Sequence, residues 1–116
     1  IYNSWPDMNG NFLADDIDQS DLYNLNFFDN PSVIQFYHRL AAYIIIIFLV
    51  FFNYIFYKQK IKSNSIIVFN LAILLQIVIG ILTLLTGVKI YYASLHQLGS
   101  VFVLTSFIFI YFKNTN

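Results

Sequence analysis

His38 and His96 are the only histidines in this 116-residue chain, and it has no cysteine. A neutral imidazole is the commonest protein ligand for a metal and a ready proton carrier near neutral pH. The lack of cysteine removes thiolate metal sites, a disulfide framework and thiol catalysis from consideration. All six acidic residues, Asp7, Asp15, Asp16, Asp18, Asp21 and Asp29, fall before position 30. A proton relay or a bare transition-metal site further along the chain would therefore lack carboxylates. What the two imidazoles can do depends on the elements that carry them.

Those elements read as membrane helices. The chain is 59% hydrophobic and only 10% charged, whereas soluble domains run near a quarter charged. The apolar residues also come in long blocks, which points to lipid and not to a water-soluble core. A net charge of zero gives no reason to expect a nucleic-acid partner. Ile1 opens into a polar stretch with no basic n-region, so no signal peptide is visible and the chain reads as part of a longer protein.

Residues 1–31 are expected to form an extracytoplasmic loop with turns at Trp5-Pro6 and Asn9-Gly10. Within it, Leu22, Leu25 and Phe28 recur every three residues, the pattern of a short interfacial helix. The first transmembrane helix is expected over 32–57, with Ser32 and Gln35 as a capping box behind Pro31. Residues 40–57 hold 12 Ile, Leu, Val and Phe residues. At about −0.3 to −0.6 kcal/mol each, these give roughly −4 to −7 kcal/mol for insertion, more than one Arg near the helix end can offset. A basic cytoplasmic loop follows over 58–65. A second helix covers 66–87 with Gly87 closing it, and a short outer link and third helix cover 88–112. Residues 113–116 form a cytoplasmic tail. The fold class is thus all-α, an integral membrane bundle of three transmembrane helices. Lys58, Lys60, Lys62 and Lys113 share one side, which the positive-inside rule makes cytoplasmic, with the N-terminal segment outside.

In this topology each histidine lies about six residues into a helix that runs inward, roughly 9 Å below its start at ~1.5 Å per residue. Two imidazoles at one depth on parallel helices can face each other across a gap, and a porphyrin between them would take both as axial ligands of its iron. The competing reading is that each ring bonds a neighbouring helix carbonyl; matched depth favours the shared ligand, since ionisable residues inside a membrane are usually functional. Arg39 has the fork geometry to pair with a propionate or the length to snorkel to headgroups, and Lys89 offers the same two choices. Gln35 and Gln97 are placed to orient an imidazole or a propionate, or to serve as interface polar residues. Gly80 and Gly99 allow close approach of a macrocycle or of another helix.

The runs Trp5-Pro6-Asp7-Met8-Asn9-Gly10, Phe27-Phe28-Asp29-Asn30, Gln35-Phe36-Tyr37-His38-Arg39, Leu75 to Leu84, and Leu95-His96-Gln97-Leu98-Gly99-Ser100 together resemble the haem A synthase family. The resemblance covers almost the whole chain. It implies an eight-helix protein in two four-helix halves, of which this chain is similar to the C-terminal half entered after its first helix. It further implies that His38 and His96 ligate a cofactor haem b, while the substrate haem O binds the N-terminal half of the same protein. That half carries a glutamate in an E-x-x-H-R motif. Here Gln35 stands at the matching position, and an amide cannot act as a carboxylate base.

The implied reaction oxidises a methyl group of haem O to the formyl group of haem A for cytochrome oxidase. The implied enzyme is an oxidoreductase of a bacterial inner membrane or mitochondrial inner membrane, and this fragment alone is expected to be inactive. Haem O synthase, an electron donor and membrane lipid are the further partners. No catalytic residue is expected within the fragment. Two rival readings are a non-catalytic cytochrome b-type electron-transfer anchor and a structural membrane subunit without haem.

Overall fold

The computed structural model describes residues 2–24 and 28–115. Its long elements are three helices, α1 (Pro31–Lys58), α2 (Asn64–Leu85) and α3 (Ile90–Thr115), with one short 3₁₀ turn at Gln19–Leu22 before them. All three are long and apolar enough to cross a membrane. None of the most apolar stretch of α1 is buried, and Ile44, Ile47, Val50 and Phe51 project outward. In water this surface would be an aggregation hazard; in lipid it is the solvated face.

The helix ends explain the chain's path. Asn30 caps α1, its side-chain oxygen accepting from Ser32 N at 3.0 Å, with Pro31 in the first turn. The expected capping box does not form, because Ser32 and Gln35 both bond to the segment before the helix. At the other end of α2, Gly87 adopts φ +73. Its N–H donates to Leu84 O, and Val88 N–H donates to Thr83 O at 2.8 Å. This pair of bonds is a Schellman closure, which demands the left-handed conformation that glycine adopts without steric cost. It turns the chain within a few residues, so α2 and α3 form a tight antiparallel hairpin. Helix α1 stands further from both.

Between α1 and the hairpin, the end bearing the Lys58–Lys62 loop is filled by aromatic side chains. Phe52 meets Phe56, Phe69 and Phe107 at ring separations of 4.5, 5.5 and 6.5 Å. Ile66, Phe69, Ile73 and Ile110 are buried beside them. Asn53 and Asn70 exchange two amide hydrogen bonds at 2.9 and 2.7 Å across α1 and α2. A reciprocal pair satisfies polar groups that lipid would otherwise leave unbonded.

The N-terminal segment is folded, not merely a loop. Met8 and Asn11 exchange backbone hydrogen bonds around Asn9 (φ 57) and Gly10 (φ 92), the two positive φ values of a type I′ turn that Asn-Gly favours. Met8, Ala14, Ile17 and Val33 bury one another, with Leu13, Leu22 and Phe36 around them. A small core thus ties the segment to the first turn of α1. Of the expected interfacial helix, Leu22 ends the 3₁₀ turn; Leu25 lies outside the described residues, as does Phe27.

Candidate functional site

His38 stands seven positions after Pro31, and His96 six after Ile90. The two helices run in the same direction, so the imidazoles come level near the end of the bundle that carries the N-terminal segment. Their ring centroids are 6.0 Å apart with the planes at 78°. An imidazole nitrogen lies about 2 Å from a bound metal and about 1.1 Å from its own ring centre, so two rings on opposite sides of one metal stand about 6 Å apart. The observed centroid separation equals that distance, and the ring rotation that would aim a nitrogen into the gap is a separate matter.

The two rings are not equivalent. His38 is exposed on α1, whereas His96 is half-buried and its Nδ1 is buried without a hydrogen-bond partner. That nitrogen lies on the side of the ring turned toward Gly80 of α2. Among the described residues, no group of three or more His, Cys, Asp or Glu comes together. Two axial nitrogens alone serve a metal that arrives with its in-plane donors already attached, as iron does in a porphyrin.

Helix α2 forms the floor beneath His96. A Cβ on Gly80 would lie 2.8 Å from His96 Cε1 and 3.3 Å from its Nδ1, and one on Gly99 would collide with the Gln76 amide. Gln76 Nε2 donates to His96 O at 2.5 Å. Gln76 was not among the expected site residues; the available signal was an amide, like Asn70 before it, interrupting an apolar membrane helix.

The Arg39 guanidinium is turned toward the N-terminal segment. Only 6% of the residue is exposed, and the guanidinium donates to the carbonyls of Tyr2 (3.2 Å), Pro6 (3.4 Å) and Asp7. Gln35 accepts from Tyr2 N at 2.9 Å and donates to Tyr2 O at 2.6 Å, so its amide bonds to the segment and not to an imidazole. Tyr43 OH donates to Pro6 O at 3.1 Å. Ser32 Oγ and Tyr2 OH both donate to the Asp16 carboxylate, at 2.6 and 2.8 Å. Those two hydroxyls hold the Asp16 carboxyl below its ordinary range, and the same carboxylate raises the Tyr2 phenol.

Ser32, Gln35, Arg39 and Tyr43 share one face of α1 by helical spacing. His38 points about 100° away from Arg39, toward α3. The segment therefore grips one face while leaving the imidazole face to the neighbouring helix. It also reaches the link between α2 and α3, where a Cβ on Gly87 would lie 3.9 Å from Asn3 Nδ2. Gln97 is exposed on α3 and its carbonyl accepts from Ser100 Oγ at 2.7 Å; Lys89 is exposed at the link.

The profile of the COX15-CtaA family, described as cytochrome oxidase assembly protein, matches residues 1–108. The chain is 50% identical over its whole length to a "Heme A synthase" of Pelagibacter ubique, covering 34% of that protein. It is 40% identical over 84% of its length to the "Heme A synthase" of Bartonella henselae, covering 28% of it. To that of Rickettsia felis it is 40% identical over 97% of its length, covering 34%. The chain thus spans about a third of the length of these curated relatives. No solved structure matches it. Three membrane-length helices, a level pair of imidazoles and these matches place the chain among multi-pass membrane proteins, as a member of the COX15-CtaA family of cytochrome oxidase assembly proteins.

Proposed function

We propose that this chain forms the C-terminal, cofactor-binding part of a haem A synthase, with His38 and His96 as the two axial ligands of one haem b. The observation that carries the reading is the 6.0 Å separation of two imidazoles on different helices. The names of the relatives support haem A formation in the service of cytochrome oxidase assembly; we assign to it the oxidation of haem O. Their greater length supports this chain being part of a longer protein, and we assign substrate binding to an N-terminal half of an eight-helix whole.

A bound bis-histidine haem supplies one-electron transfer. The chain's own residues hold and shield it. His38 and His96 offer imidazole nitrogens, α2 backs His96, and the N-terminal segment, pinned by Arg39, Gln35 and Asp16, spans from α1 to the α2–α3 link. Gln35 stays uncharged and moves no proton, so the chemistry on the substrate belongs to the other half. The lysine-rich loop faces the cytoplasm or matrix and the N-terminal segment the opposite side of the inner membrane. Electrons come from a donor outside this chain, and haem O synthase supplies the substrate.

The test is to purify the protein in detergent and record its haem spectrum. A six-coordinate, low-spin haem is expected, and His96→Ala and His38→Ala should each abolish it. An unchanged spectrum in either variant counts against the assignment. The second reading, a simple cytochrome b anchor, gives no role to the folded segment around Met8. Its discriminating result is normal haem A formation in cells when residues 4–10 are replaced by a neutral linker.

A further inference from the structure

Gly80 lies inside α2, five residues before its end, where glycine costs about 1 kcal/mol relative to alanine. Its backbone φ is not in the left-handed region, so conformation does not call for glycine there. Space does. The Nδ1–Cε1–Nε2 edge of His96 rests on the Gly80 Cα, and a Cβ would sit 2.8, 3.3 and 3.5 Å from Cε1, Nδ1 and Nε2. One turn back along the same face of α2, Gln76 holds the His96 carbonyl at 2.5 Å. The Gln76 amide in turn occupies the space over Gly99, one turn beyond His96 on α3. Each helix thus provides a glycine that receives the other's polar side chain. The interlock fixes both ends of the histidine, ring edge and backbone.

We propose that Gly80 and Gln76 are positioning residues that set the rotation and height of the His96 imidazole, and through it the binding and electronic state of the haem. This rests on His96 being an axial ligand. Helix α2 carries no ligand of its own, and its role is to prevent His96 from turning when iron is bound. Residues that orient a metal-bound imidazole typically govern 10–100-fold in affinity. Because Cβ would meet a ring edge and not another backbone, Gly80→Ala moves the ring while the hairpin keeps its packing.

The experiment compares the purified haem-loaded protein with Gly80→Ala, Gln76→Leu and His96→Ala, reading haem retention, the low-spin electron paramagnetic resonance signal and the reduction potential. Gly80→Ala should shift the low-spin signal and lower haem affinity about 10–100-fold. Gln76→Leu, which adds no atom near the ring, should move the signal and the potential in a smaller step. His96→Ala should lose the signal altogether. If His96→Ala removes the signal but the other two variants match the unsubstituted protein, the positioning role is overturned and the ligand assignment stands. If His96→Ala keeps the signal, the ligand assignment itself falls, and the positioning role with it. Should Gly80→Ala fail to accumulate, Gln76→Leu decides: a displaced signal supports the role, and an unshifted one overturns it.

Discussion

At the lysine end of the bundle, Phe52, Phe56, Phe69 and Phe107 pack ring against ring between α1 and the α2–α3 hairpin. At the histidine end the same helices meet through two imidazoles at 6.0 Å, and the segment before α1 is fastened above them by Arg39, Gln35 and Asp16. One end is closed by interchangeable apolar volume. The other depends on particular atoms at particular distances. The contrast separates what holds the bundle together from what the proposal assigns to a haem. Substitutions at the first end should act on stability alone, and those at the second on ligand binding and the order of the segment.

The largest stability effect is expected from Phe69→Ala. Phe69 is 3% exposed, and emptying such a site costs about 3–5 kcal/mol. Thermal unfolding in detergent should show the loss, while molecules that remain folded keep the haem spectrum of the unsubstituted protein. A changed spectrum would blur the division between the two ends.

Arg39→Ala comes next. It strips charged hydrogen bonds from three carbonyls, and such bonds contribute about 1.5–3 kcal/mol. Limited proteolysis should cut within residues 2–22 far faster than before, with α1 to α3 intact. Arg39→Lys keeps the charge but loses the fork, so it should restore only part of the protection.

The Asn53–Asn70 pair gives a smaller effect. Interhelical hydrogen bonds in membrane proteins average about 0.6 kcal/mol and reach about 1.7. A double-mutant cycle with Asn53→Leu and Asn70→Leu should yield a coupling in that range, with the haem signal unmoved.

The smallest effect is a pH dependence of the segment's attachment. The Asp16 carboxyl is lowered by the hydroxyls of Ser32 and Tyr2, so its contribution is present above the ordinary 3.8 and is lost as pH falls through the lowered value. The Tyr2 phenol is raised from 10.0, chiefly by its hydrogen bond to Asp16, so its contribution is present below 10.0 and is lost as pH rises through the raised value. Protection factors of residues 2–22, with the intrinsic pH dependence of amide exchange divided out, should stay flat between those limits and fall outside them. Asp16→Asn should remove the acid limb.

Much of the helical framework was legible in the residues, because insertion into lipid depends on local apolar content and on where charges stop it. Gly87 marks the end of α2 for an equally local reason: a Schellman closure needs φ above zero. The partners of polar side chains were less legible. Asn30, not Ser32, caps α1, and Ser32 and Gln35 bond to Asp16 and Tyr2, residues 16 and 33 positions earlier. Nothing in the neighbours of Arg39 reveals that three backbone carbonyls fold back onto its guanidinium. Gln76 went unnoticed because its partner lies on the next helix.

The sequence by itself determined three membrane-length helices, the collection of lysines at one end and the matched depth of two histidines. These follow from the periodicity and polarity of contiguous residues. Only the tertiary structure decided which way the imidazoles face, that Gly80 lies under His96, and that Arg39 belongs to the N-terminal segment. Those relations join positions 16 to 58 residues apart and depend on how helices rotate about their own axes, which no local pattern encodes.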